Sequence, residues 1–138
     1  MPTTFRTTRR VEFADTDMAG IVHFSNFFRF MESAEVEFLR TRGLSVSQRK
    51  DGERVRFPRV SASCDYLRPA TFGDLLDIAV TVEKVGGKSV TYAFEFSKAG
   101  EVIARGKISA CYCRTVGERL ESLEIPADVR ANLLGELD

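Results

Sequence analysis

Two carboxylates, Asp15 and Asp17, stand one residue apart in the run Phe13-Ala14-Asp15-Thr16-Asp17-Met18-Ala19-Gly20, and the only imidazole of the chain, His23, follows shortly after. Asp, Thr and Gly favour a turn, and a helical pattern begins immediately beyond it, near Ser25. A carboxylate held just ahead of a helix N-terminus can attack an electrophilic carbon or take a proton from water. The free N–H groups of that helix end can then stabilise charge developing on an oxygen. Asp17 is thus a candidate nucleophile or general base, although an isolated aspartate in a turn more often bonds its own backbone. Asp15 reads as the residue that fixes the turn. Gly20 lets the backbone approach a ligand closely. Asn26 either caps the helix or anchors the loop. His23 either packs at the helix entry or touches a substrate.

The elements that must position these groups follow from periodicity. Phe5 to Phe13 alternates Thr and Val with polar residues, as a first strand does. Ser25 is a plausible N-cap. Phe27, Phe30, Met31, Ala34, Phe38 and Leu39 then recur on one helical face, and Gly43 offers a left-handed stop. Those roughly 17 residues make a helix of about 25 Å, apolar enough to require a broad surface such as a sheet. Leu44 to Arg56 is polar and reads as a loop containing a helical turn. Four strand-like segments follow, Phe57–Leu67, Leu75–Val85, Ser89–Ser97 and Val102–Arg114, with Gly86-Gly87 as a hairpin turn. Pro126 to Leu137 reads as a short amphipathic helix. A strand, a long helix and a run of antiparallel strands define an α+β class with the helix on one face of the sheet. One sheet face then remains to be covered, which favours pairing with a second copy.

The chain has 138 residues, the size of a single domain spanning 1–138, and 20 basic residues balance 20 acidic ones. Zero net charge argues against a general nucleic-acid binder. No export signal and no membrane-length apolar run are visible in the sequence. Together with three cysteines, an odd number, this points to reduced thiols and a cytoplasmic location. Cys111 and Cys113 alternate on a strand and read as structural thiols. No metal site is expected.

The run from Phe13 to Phe27, with Asp15-Thr16-Asp17, Ala19-Gly20, Ile21-Val22 and Asn26-Phe27, resembles the signature of the hotdog-fold acyl-CoA thioesterases, in particular their 4-hydroxybenzoyl-CoA thioesterase-like branch. Asp65-Tyr66-Leu67-Arg68-Pro69-Ala70 with Gly73-Asp74 matches that family's second strand and bend. The resemblance implies a five-stranded antiparallel sheet wrapped around one long helix. It implies a homodimer or homotetramer with active sites at subunit interfaces, and an acyl-CoA substrate with no further cofactor. It places the catalytic carboxylate on Asp17 and the oxyanion donor on the backbone N–H near Phe24. Many relatives carry a histidine one place later than His23, so a catalytic role does not transfer to His23 directly. For the phosphates of coenzyme A, the turn Gly86-Gly87-Lys88-Ser89 offers N–H groups, an ammonium and a hydroxyl, with Arg59 as a further cation. Two other activities remain open at this stage, a hotdog dehydratase or hydratase that uses His23 and a non-catalytic acyl-CoA-binding module.

Overall fold

A computed structural model of the chain describes residues 4–135. Strand β1 (Thr4–Arg10) is followed by a 3-10 turn at Phe13–Asp15 and by helix α1 (Asn26–Thr41). Then come β2 (Ser47–Lys50), β3 (Glu53–Arg56), β4 (Arg59–Tyr66), β5 (Leu75–Val85), β6 (Ser89–Lys98) and β7 (Glu101–Cys111). The chain ends in β8 (Cys113–Val116), β9 (Arg119–Ser122) and α2 (Ala127–Leu134). Five strands form an antiparallel sheet in the order β1-β5-β6-β7-β4, and α1 lies against its inner face. This is the α+β arrangement expected, with the hotdog topology.

The helix buries Phe27, Phe30, Met31, Ala34, Phe38 and Leu39, the face its periodicity marks out. Against it stand Leu76, Ile78, Val80 and Val82 of β5 and Val90, Tyr92, Phe94 and Phe96 of β6, all buried. Each such side chain contributes roughly 1.5–3 kcal/mol on burial. Close approach of helix to sheet depends on Gly106 of β7, where a Cβ would run into Met31 Sδ and come within 3.0 Å of the Ser63 carbonyl. The helix stops as its sequence foretells. Gly43 takes φ +69°, and the Leu44 N–H returns to the Leu39 carbonyl at 2.8 Å.

Several expectations need correction. The first strand ends at Arg10, and Phe13 belongs to the turn. There the Val11 N–H is drawn to the Asp74 carbonyl, and Glu12 and Asp15 close a capping box. Ser25 stands at the N-cap position without capping through its side chain, because its hydroxyl meets His23 Nδ1 instead. Leu44–Arg56 is no helical loop but contains the hairpin β2–β3, which joins β8 and β9 in a separate four-stranded sheet. Asp51-Gly52, both at positive φ, is the turn pair that announces such a hairpin; the polar strands around it gave no apolar alternation. The final long strand breaks at Tyr112 into β7 and β8. Within β7, a bulge opposite Phe96 and Ser97 turns Ile103 inward and leaves Val102 only partly buried. In the C-terminal helix, the part of the expected span beyond Gly135 lies outside the described residues.

One buried charge interrupts the apolar helix face. Glu35 is fully buried, and its Oε1 accepts both Nε and Nη2 of Arg59, at 2.9 and 2.6 Å. Among the described residues its Oε2 meets no donor, and the buried Tyr92 hydroxyl has no partner. Burial outweighs the Arg59 contact and holds the Glu35 carboxyl above its ordinary value of 4.5. The folded chain therefore binds that proton more tightly than the unfolded chain. The associated stability is complete below the ordinary value and is lost as pH rises through the folded-state pKa. Glu35→Gln is expected to flatten the fall of the urea midpoint as pH rises above the ordinary value of 4.5. An unchanged slope would show that Glu35 is not the group responsible.

Candidate active site

The segment between β1 and α1 is anchored in the core by Val11 and Val22 and shaped between them by backbone bonds. Thr16 bridges Val22, and Ile21 bridges Thr71. The Asp17 N–H donates to the Ile21 carbonyl at 2.8 Å and the Gly20 N–H to the Asp17 carbonyl at 2.9 Å, with Gly20 at φ +82°. A tight reversal over Asp17–Gly20 results, which a side chain at position 20 would strain. Asp15 anchors this loop. Its carbonyl accepts the His23 N–H at 2.9 Å and Asn26 Nδ2 at 2.8 Å, and its Oδ2 accepts the Glu12 N–H at 2.8 Å. Arg9, stacked over the Phe30 ring at 4.9 Å, lies 3.8 Å from Asp15 Oδ1. The bend Thr71–Asp74 braces the loop from the other side. Backbone and side-chain donors of Thr71, together with Lys98, converge on the Asp74 carboxylate and hold its pKa below the ordinary value.

The loop presents Asp17 to an apolar cleft of about 500 Å³, lined by Ile21, Val22, Phe24, Phe27, Tyr66, Leu67, Arg68, Pro69 and Ala70 as well. Asp17 Oδ1 accepts the Ala19 N–H at 2.8 Å and lies 3.4 Å from the Ile21 nitrogen. The carboxylate thus does shape its own turn, and its Oδ2 meets no donor among the described residues. At the helix entry, the Asn26 N–H returns to the His23 carbonyl and the Phe28 N–H to the Ser25 carbonyl, while the Phe24 amide finds no acceptor among the described residues. His23 Nδ1 accepts the Ser25 N–H at 3.2 Å, so its neutral form carries the ring proton on Nε2. The imidazole stacks on Phe24 with centroids 4.6 Å apart.

Asp17 and Phe24 come together in this cleft, with Gly20 in the reversal between them. Asn26 Nδ2 donates to the Asp15 carbonyl at 2.8 Å, a contact that anchors the loop. Arg59 does not line the cleft, and its guanidinium is committed to Glu35, with Glu32 at 3.9 Å. Lys88 and Ser89 sit at the far end of β5, beyond the Gly86-Gly87 turn. There the carbonyls of Gly86, Gly87 and Lys88 are taken by Arg130, Ile125 and Tyr112. Tyr66 was not singled out from the sequence. Its Oη donates to the Phe24 carbonyl at 2.9 Å and its ring meets Phe27 edge-on; an aromatic residue closing β4 beside Leu67 and Pro69 was the available signal. A second depression of about 430 Å³ lies on the outer face of the sheet among Arg6, Asp65, Glu95, Arg105 and Lys107. There Arg105 pairs with Glu95 of the neighbouring strand at 3.5 Å, and Lys107 with Glu83 at 2.9 Å. Among the described residues, no three His, Cys, Asp or Glu side chains gather as metal ligands would, and no helix is long and apolar enough to cross a membrane.

A carboxylate and a helix entry lining one apolar cleft, beside a long helix wrapped by a five-stranded antiparallel sheet, are the arrangement of the hotdog class. Residues 11–133 match the thioesterase-like superfamily, and the chain belongs to that family of hotdog-fold thioesterases. A 1,4-dihydroxy-2-naphthoyl-CoA hydrolase of Nostoc punctiforme is 32% identical over 125 residues, covering 91% of this chain and 83% of the relative. A 4-hydroxybenzoyl-CoA thioesterase of Pseudomonas sp. strain CBS-3 is 31% identical over 127 residues, covering 87% and 90%. Among solved structures, a gentisyl-coenzyme A thioesterase superposes with a TM-score of 0.80 at 32% identity, covering 91% of this chain and 99% of that one.

Proposed function

We propose that the protein hydrolyses an acyl-CoA thioester to the free acid and coenzyme A, with Asp17 as the reacting carboxylate. The observation that carries this reading is the division of labour on Asp17. One oxygen is tied into the turn, and the other is free at the wall of an apolar cleft that also receives the helix entry. Acyl-CoA is the substrate class named for the relatives above. The acyl group occupies the cleft against Phe24, Phe27 and Leu67. The thioester oxygen faces the Phe24 N–H, which strengthens its hold as the carbonyl carbon becomes tetrahedral. Asp17 Oδ2 either attacks that carbon, expelling the thiolate and leaving a mixed anhydride for water to cleave, or takes the proton of an attacking water. Both routes consume one water and release one acid and one thiol. No cofactor is required beyond the coenzyme A of the substrate itself.

The placement of the turn at Lys88 and Ser89 supports a working dimer. The helix-entry loop is braced at the start of β5, by Thr71–Asp74, whereas Lys88 and Ser89 follow its end. Eleven residues of strand separate the two, roughly 35 Å at 3.3 Å per residue. One coenzyme A reaches a cleft and such a turn together when they belong to two chains lying side by side. The edge strand β4 suits that contact, since it is exposed almost throughout and carries Val60 at 65% exposure.

Asp17→Asn keeps an oxygen for the Ala19 N–H and removes the reactive charge. In a thiol-release assay over aromatic and aliphatic acyl-CoAs, it is expected to lose roughly 100-fold or more in kcat at an unchanged melting temperature. Hydrolysis at the parent rate would remove Asp17 from the mechanism. Binding without turnover by the parent would instead indicate a binding module. Val60→Glu is expected to convert a dimer to a monomer by light scattering and to abolish turnover; a parent that is monomeric and active would overturn the dimeric site.

A further inference from the structure

We propose that Tyr66 is a positioning residue for the oxyanion site: its phenol holds the Phe24 carbonyl away from the cleft and so fixes the residue whose N–H meets the thioester oxygen. The inference rests on the reading of the Phe24 amide as oxyanion donor.

The need for such a residue arises from the way α1 begins. In a regular helix the Phe24 carbonyl would accept the Phe28 N–H. Here Phe28 donates to Ser25 at 3.1 Å and Asn26 to His23 at 2.9 Å, so the Phe24 carbonyl has no backbone donor among the described residues. That carbonyl is solvent-accessible, so water can satisfy it in Tyr66's absence, and what a fixed partner adds is direction rather than stability. If it swung inward, its negative end would face the charge that the reaction develops and would oppose the adjacent N–H. Tyr66 Oη meets that carbonyl at 2.9 Å. With the carbonyl tethered, rotation about the Phe24 backbone is restricted and the N–H of the same residue keeps its aim.

The tether itself is rigidly mounted. Tyr66 closes β4 and pairs with Ala104 of β7. Its ring sits edge-on to Phe27, with centroids 5.3 Å apart, and Phe27 is locked in turn against Phe30 and Phe96. The His23 ring stacks on the Phe24 ring at 4.6 Å, and its Nδ1 binds Ser25. Phe24 is therefore gripped from the strand and from the loop, although its own side chain is 63% exposed. Burial, reinforced by the neighbouring Cys64 thiol, raises the pKa of the Tyr66 phenol. The Cys64 thiol is itself pushed up to about 11 by burial. Both groups keep their protons at neutral pH, and the phenol remains a donor.

The role separates from that of a cleft wall because the ring and the hydroxyl can be removed independently. Tyr66→Phe keeps the ring and deletes the tether; Tyr66→Ala deletes both. With benzoyl-CoA as probe, Tyr66→Phe is expected to lower kcat by roughly tenfold or more with KM within about threefold of the parent. The melting temperature should not move, since the bond is solvent-accessible. Tyr66→Ala should raise KM in addition. An independent readout is the carbonyl stretch of benzoyl-CoA bound to Asp17→Asn, which should shift to higher frequency when Tyr66→Phe is added, as polarisation by the Phe24 N–H weakens. The inference is overturned if Tyr66→Phe turns over at the parent rate, if kcat falls only in step with the melting temperature, or if the carbonyl stretch stays in place. Each of those results leaves acyl-CoA hydrolysis itself intact. A parent that cleaves no acyl-CoA would overturn both.

Discussion

The Asp15 carbonyl accepts two donors at once, the His23 N–H and Asn26 Nδ2, and the architecture of the site depends on that convergence. One donor lies in the loop and the other on the first residue of α1. The helix therefore cannot shift along its axis without pulling on the turn that carries Asp17. Buried polar groups are best served when every lone pair is used, and here the same oxygen that satisfies the loop also sets the distance between carboxylate and helix end. Arg9, reaching from β1 to Asp15 over the face of Phe30, extends this network into the sheet. The candidate site thus rests on rigid elements, although Asp17 itself lies in a turn.

Much of this was legible in the chain. The helix face was readable because six apolar residues recur at a period that only a helix places on one side, and the paired strands β5 and β6 because their alternation was strict. What escaped was wherever another force competes with pattern. Glu35 sits among apolar neighbours because Arg59, distant in sequence, supplies two donors to it; no local rule anticipates a partner on another element. The hairpin β2–β3 lacks alternation because only Val55 among its strand residues is buried. The inward turn of Ile103 follows from a bulge, which depends on strand register rather than composition.

The candidate site was legible in another way. Residue type and order marked Asp17 as a carboxylate ahead of a helix end, and the resemblance of the Phe13–Phe27 run to the hotdog thioesterases is what suggested a role for it. The role of the phenol at Tyr66 could not be read this way, since it depends on which carbonyl the first turn of the helix leaves without a donor. Arg59 illustrates the converse. A cation on a strand reads as a ligand contact until its carboxylate partner is seen.

The order of strands in the larger sheet has a consequence for how the chain reaches this state. β5, β6 and β7 are joined by short turns and pair with their neighbours in sequence. β1 instead pairs with β5 across a gap as wide as the 77 residues between Thr4 and Thr81. Closing so long a segment carries an entropic cost that local hairpins avoid. The three-stranded meander can therefore form early as a template, with the strand leading into the Asp17 loop joining after it. The loop at Asp17 then takes shape only once the sheet that supports it is already in place.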